Sequence, residues 1–340
     1  HITSRTPPAY TVTTYLVTGA AGFIGAKVAE QLLRQEHNVV GVDNLGPSYD
    51  VRLKDWRLSQ LKALPGLTFI TADVSNLTSL RGVFENQIKA TGEPFSAVIN
   101  LAALAGGRYS LIDPWAFFDT NVNGTLNLLE LCREFSVGKF VLASTSSLYG
   151  SHNPQPFKED ANTDVLLSPY AASKKAAEAL CSTYHHLYGI DVTVFRYFTV
   201  YGPAGRPDMA PFRFVKWITE GQSLILYGDG TQERDFTYVE DIARGTIAGL
   251  RPLGYETINL GTERTTRLND VIGMIEALVD RKAQIQQEPR HPADMLATWA
   301  DTSKARSLLG WEATTPIEDG IRQTVEWYKE NRAWAREIAT

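Results

Sequence analysis

The chain has 340 residues, 44% hydrophobic and 21% charged, enough to bury the core of one large domain with a smaller one appended. A formal net charge of -5 and a sequence pI near 5.8 give no basic footprint for nucleic acid, so any bound anion must be held by local arginines and backbone amides. Cys132 and Cys181 are too few for a disulfide framework or a zinc site, and no apolar run reaches membrane-spanning length, so no membrane partner and no metal are expected. A soluble cytoplasmic protein follows as the expectation, with residues 1–10 read as a loose tail or expression remnant.

Tyr15-Leu16-Val17-Thr18 is a short apolar strand, followed at once by Gly19-Ala20-Ala21-Gly22-Phe23-Ile24-Gly25 and a helical pattern through Lys27 to Arg34. In that strand-turn-helix order, glycines let the backbone approach a pyrophosphate and set a helix N-terminus, with its free amides and partial positive charge, against it. The next strand, Asn38-Val39-Val40-Gly41-Val42, ends in Asp43, where an acid accepts hydrogen bonds from the adenosine ribose and repels a 2′-phosphate. The expected cofactor is therefore NAD rather than NADP, with Arg52 and Lys54 as nearby charges of opposite sign.

Further strand-like runs follow at Leu67-Thr68-Phe69-Ile70, Ala97-Val98-Ile99-Asn100 and Lys139-Phe140-Val141-Leu142-Ala143-Ser144, separated by helical stretches near 77–90 and 114–135. The alternation implies an α/β fold, a Rossmann-type doubly wound parallel sheet. Ligands of such sheets bind beyond the carboxyl ends of the strands, where Ala72-Asp73-Val74, Leu101-Ala102-Ala103 and Ser144-Thr145-Ser146-Ser147 fall. Asp73 suits the adenine amino group, or equally the cap of the next helix. In Ser168-Pro169-Tyr170-Ala171-Ala172-Ser173-Lys174, Tyr170 and Lys174 share a helix face, and an ammonium beside a phenol favours the phenolate, a base near neutrality.

The G-x-x-G-x-x-G glycines, Asp43, Asn121-Val122-Asn123-Gly124-Thr125, the Ser/Thr run before Leu148-Tyr149-Gly150, Tyr170-x-x-x-Lys174 and Arg196-Tyr197-Phe198-Thr199 occur in this order. Together they resemble the extended short-chain dehydrogenase/reductase family and, within it, the nucleotide-sugar 4-epimerases. The likeness runs from about Tyr15 past Trp311, because Gly228-Asp229-Gly230-Thr231-Gln232-Glu233-Arg234-Asp235-Phe236 and Ala300-Asp301-Thr302-Ser303-Lys304 also resemble family motifs. It implies tightly held NAD, contacted by Gly19, Gly22, Phe23, Ile24, Gly25, Asp43, Asn44, Asp73, Val74, Leu101, Ala102, Ala103, Asn121, Tyr170, Lys174 and Tyr197. It also implies catalysis by Thr145, Tyr170 and Lys174, and a homodimer formed through the helices near 114–135 and 168–188. The NAD-binding domain would be residues 11–200 with 236–261 returning to it. Residues 201–235 and 262–340 would form a smaller C-terminal α/β domain for the nucleotide sugar.

Related sugar 4,6-dehydratases carry an Asp-Glu pair at Thr145-Ser146-Ser147, and related UDP-glucuronate decarboxylases a glutamate at Ser147; this chain has hydroxyls throughout. UDP-galactose 4-epimerases usually read Arg-Tyr-Phe-Asn where this chain reads Arg196-Tyr197-Phe198-Thr199, continuing to Gly205-Arg206-Pro207-Asp208-Met209, which resembles the UDP-glucuronate 4-epimerases. By that resemblance Ser146, Ser147, Thr199 and Arg206 hold a hexuronate carboxylate, Arg234 and Arg290 grip the diphosphate, and Asp294 accepts from the uridine ribose. The expected reaction is inversion at C4 of a UDP-hexuronate through a 4-keto sugar, without decarboxylation. The competing readings, in order, are a UDP-glucose 4-epimerase, a UDP-glucuronate decarboxylase and a nonenzymatic NAD-binding regulator.

Overall fold

A computed structural model describes residues 12–290 and 295–340. The tail expected at 1–10 and the ribose contact expected from Asp294 lie outside the described residues. The first half runs β1 (Thr14–Thr18), α1 (Phe23–Arg34), β2 (Asn38–Asp43), α2 (Val51–Lys62), β3 (Leu67–Thr71), α3 (Leu77–Thr91) and β4 (Ala97–Asn100). Short α4 (Gly107–Ile112) and α5 (Pro114–Phe118) lead to α6 (Gly124–Glu134), β5 (Lys139–Thr145), α7 (Pro169–Tyr188) and β6 (Asp191–Tyr197). Then follow β7 (Thr199–Tyr201), α8 (Ala210–Glu220), β8 (Ser223–Tyr227), β9 (Glu233–Arg234), β10 (Phe236–Tyr238), α9 (Val239–Ala248) and β11 (Tyr255–Leu260). The chain ends with β12 (Thr266–Arg267), α10 (Leu268–Val279), β13 (Gln284–Glu288), β14 (Ala297–Thr298), α11 (Ser303–Leu309), α12 (Ile317–Glu330) and α13 (Arg332–Ala335).

Seven strands form one parallel sheet in the order β11-β6-β5-β4-β1-β2-β3. Both its faces are covered, so its central strands read as unbroken apolar runs; every residue of β4 and β5 is buried. Leu80, Phe84, Leu128, Cys132 and Cys181 from α3, α6 and α7 fill one face. Val28, Leu32, Ile242 and Trp311 fill the other. Strand order reverses between β1 and β4, and there the carboxyl ends open a crevice for a ligand.

The chain leaves this sheet after β6 and returns to it with β11. A third core lies outside the sheet, built from Phe212 and Trp217 of α8, Ile275 of α10 and Trp327 of α12. Two motifs distant in sequence meet beside it. The buried Asp235 carboxylate accepts from Thr262 N at 2.8 Å and from Ala300 N at 3.1 Å, joining the Arg234-Asp235 and Ala300-Asp301 segments.

The single helix expected over 114–135 is interrupted. A π-helical turn at Asp119–Asn123 separates α5 from α6, and it carries Asn121 inward.

Candidate active site

Gly19 has φ +68, and a Cβ on it would lie 2.8 Å from the Leu101 carbonyl and the Ala102 nitrogen. At Gly25 a Cβ would stand 2.0 Å from the Gly19 oxygen, so α1 can start against the turn only if that position has no side chain. Gly22 caps α1 without a side-chain hydrogen bond, leaving the first-turn amides for an anion. This cradle opens into a cleft of ≈ 860 Å³ along the strand ends, which also exposes Phe23, Ile24, Asp43, Asn44, Asp73, Val74, Leu101, Ala102, Ala103 and Tyr197.

Asp43 is held for its place rather than left free. Its carboxylate accepts from Ala21 N at 3.1 Å and Leu45 N at 2.8 Å, and faces Lys54 Nζ at 3.5 Å. Lys54 thus answers Asp43, while Arg52 turns away to Asp50 and Glu337, so neither cation is set out for a 2′-phosphate. Asp73 accepts from Asn44 at 2.9 Å and from the Ser75 hydroxyl at 2.7 Å; burial raises its carboxyl, but these bonds outweigh it and hold the group below its ordinary value. The helix cap that Asp73 was expected to share falls instead to Asn76, which accepts from Ser79 N.

Asn121 departs from its expected role. Its amide accepts from Leu104 N and donates to Leu104 O, both at 2.9 Å, and donates to Ser173 Oγ. Both amide hydrogens are used, and Asn121 stands behind Leu104, which lines the cleft in its place.

Thr145, Tyr170 and Lys174 meet in the cleft. Thr145 ends β5, and its Oγ1 accepts from Ser147 N at 3.1 Å, winding the turn that presents Ser146 and Ser147. Burial pushes the Tyr170 phenol up, while hydrogen bonding to Thr145 and the positive charge of Arg206 pull it down. Lys174, four residues on along α7, lines the same cleft as Tyr170. One helical turn leaves the stem long enough to reach β5, and Nζ donates to Ala143 O at 2.9 Å. Burial lowers this ammonium to about 8, against the Glu178 carboxylate that favours its charge. Glu178 in turn receives both arms of the Arg196 fork, at 3.0 and 2.9 Å, and the Ser144 hydroxyl.

The same cleft is lined by Ser146, Ser147, Thr199 and Arg206. The Arg206 fork is bidentate to Asp208, Nε at 3.1 Å and Nη2 at 2.5 Å. A smaller hollow shares Thr199 and Met209 with the cleft and is lined by Ile225, Tyr227, Gln232 and Arg234. Arg234 Nη1 donates to the carbonyls of Glu233 and Met295. Arg290 lines neither space; it is exposed beside Gly228.

Sequence reasoning passed over Arg57 of α2. This buried guanidinium donates to Ala21 O in the glycine turn at 3.1 Å and twice to Ala204 O, at 3.1 and 2.6 Å, fastening the cofactor side to the loop that carries Arg206. It also passed over Phe117, whose ring meets that of Tyr170 edge-on at 6.1 Å, and over Arg108, which lies 5.1 Å from the Tyr227 ring centroid. Each is a contact between segments, and single-segment patterns carry no mark of it.

Residues 15–261 match the model of the NAD dependent epimerase/dehydratase family. The UDP-glucuronate 4-epimerase of Thermodesulfobacterium geofontis is 55% identical over 318 residues, 93% of this chain and 96% of that one. Among solved structures, the Bacillus cereus UDP-glucuronic acid 4-epimerase in complex with UDP-glucuronic acid and NAD is 36% identical with a TM-score of 0.86, covering 94% of this chain and all 100% of that one. The Thermotoga maritima UDP-glucose 4-epimerase with UDP-glucose is 27% identical with a TM-score of 0.84, at 94% and 100% coverage.

Proposed function

Because this chain belongs to the NAD dependent epimerase/dehydratase family, we propose that it inverts C4 of a UDP-hexuronate, interconverting UDP-glucuronate and UDP-galacturonate without loss of carbon dioxide. The observation that carries this reading is one cleft lined both by Thr145, Tyr170 and Lys174 and by the donors Ser146, Ser147, Thr199 and Arg206.

NAD, when bound in the glycine cradle, supplies a reversible store for the hydride of C4. The Tyr170 oxygen removes the proton of the C4 hydroxyl through or beside Thr145, whose hydroxyl serves as relay, and returns it after the sugar has turned. Lys174 keeps positive charge at the base of the site under the influence of Glu178. Arg234 anchors the diphosphate so that the 4-keto sugar can present its other face without leaving.

A 4-keto hexuronate is a β-keto acid. It loses carbon dioxide when the bond from C5 to the carboxylate lies parallel to the carbonyl π system. Donors fixed around the carboxylate hold that bond near the carbonyl plane, which gives Ser146, Ser147, Thr199 and Arg206 a part in product identity as well as affinity. Residues 11–200 with 236–261 serve the cofactor, 201–235 and 262–340 serve the UDP-sugar, and the working unit is a homodimer.

A neutral-hexose reading has one observation in its favour, since Asp208 already answers the charge of Arg206. Incubation of the purified protein, without added NAD, with UDP-glucuronate, UDP-glucose and UDP-xylose separately decides between them. UDP-galacturonate from the first alone is the expected product. UDP-galactose in place of it would move the assignment to neutral hexoses, and a UDP-pentose would make the enzyme a decarboxylase.

A further inference from the structure

The loop 204–209 is unusually constrained for a segment that faces a cleft. Its start is fixed by the two hydrogen bonds that Arg57 donates to Ala204 O, and Ala204 takes a φ of +53. Its end closes on itself, Met209 N donating to Arg206 O at 3.2 Å. Between Arg206 and Asp208 stands Pro207, whose ring restricts the backbone through which the two side chains face each other. The ion pair is therefore built into the loop.

Asp208 takes Nε and one arm of Nη2, the side edge of the guanidinium. Arginine has five N–H donors, and Nη1 together with the other arm of Nη2 remains as a second fork. A Cβ on Gly106 would lie 3.8 Å from Nη2, so the arginine reaches across to the loop that follows β4. Both Arg206 and Asp208 line the cleft.

We propose that Asp208 is the positioning residue for carboxylate recognition: it locks the side edge of Arg206 so that the end edge is aimed and ordered before a hexuronate arrives. This inference rests on the assignment of Arg206 to the substrate carboxylate. The two carboxylates occupy separate edges of one cation, so the substrate need not displace Asp208, and the rotamer ordering of Arg206 is already complete when it binds. A neutral sugar gains nothing from that ordering. The same lock governs product identity. When the carboxylate swings out of the carbonyl plane, the C5–C6 bond breaks, its electron pair enters the C4 carbonyl to give an enolate, carbon dioxide leaves, and a proton added at C5 yields a 4-keto pentose.

The test uses the NAD-loaded enzyme and measures calorimetric Kd for UDP-glucuronate and UDP-glucose, with chromatography of products, in Asp208→Ala, Asp208→Glu, Asp208→Asn and Arg206→Ala. In Asp208→Ala, binding of UDP-glucuronate is expected to weaken about tenfold, binding of UDP-glucose less than about twofold, and pentose to appear. Asp208→Glu restores part of the discrimination, and Asp208→Asn, which keeps shape and one acceptor oxygen, gives an intermediate loss should the alanine variant misfold. If Arg206→Ala weakens UDP-glucuronate binding but Asp208→Ala leaves it unchanged or tightens it, Asp208 competes with substrate and the inference is overturned while the assignment of Arg206 stands. If Arg206→Ala itself leaves both ligands and products unchanged, the assignment of Arg206 falls and takes the inference with it.

Discussion

Glu178 lies one helical turn beyond Lys174 and favours its charge in surroundings that disfavour it. The ammonium is present below about 8 and is lost as pH rises through that value. Removing the neighbouring negative charge moves the loss to lower pH. In Glu178→Gln the descending limb of kcat/KM against pH is therefore expected to shift down by roughly one unit; a limb that stays in place would separate Glu178 from the titration of Lys174. The pairing of Tyr170 and Lys174 on one helix face was legible in the sequence because its four-residue spacing is local, whereas Thr145 was reached only through the family resemblance. Glu178 was not legible, because its partners Ser144 and Arg196 stand 34 and 18 residues away on adjacent strands. Asp208 sits two residues from Arg206, yet nothing in Arg-Pro-Asp says that the two side chains turn toward each other.

At the scale of elements, the glycine turn couples β1 to α1 through backbone approaches that no rotamer change can relieve. Gly25→Ala brings a methyl against the Gly19 oxygen, and co-purified NAD, read from the ratio of absorbance at 260 and 280 nm, is expected to fall about tenfold or more. Gly82→Ala in α3 meets nothing within 4 Å and should instead stabilise the fold by ~0.5–1 kcal/mol in denaturant titration. Equal cofactor loss in both would remove the steric account. Five of the seven strands, β1 to β5, were readable to within a residue or so at their ends, because they are short, largely apolar runs between turns, whereas β6 and β11 were not picked out. The π-helical turn at Asp119–Asn123 was not readable, since a local change in winding leaves helical periodicity nearly intact on either side.

Across the whole molecule, Leu111, Ile112, Trp115 and Phe118 of α4 and α5 are exposed, Ile112 and Trp115 each at 80%, and Leu187 and Tyr188 end α7 in the same state. Apolar side chains so placed on α5 and α7, within the stretches expected at a dimer interface, and on the neighbouring α4 argue for a covered surface. The 37.7 kDa chain is expected to sediment as a dimer and Trp115→Glu as a monomer; a native monomer would leave the helical pairing without support. The doubly wound sheet was legible from the alternation of its elements, whereas the grouping of α8, α10 and α12 around a third core came only through the family resemblance, because these helices are far apart in sequence and share no motif. The return of the chain to the sheet has an effect during synthesis. Until residues 255–260 have emerged from the ribosome, β6 has an open edge and nothing has paired its outer backbone groups. The nascent polypeptide thus carries a sticky strand edge through the translation of about sixty further residues, an interval in which a chaperone has a defined place to bind.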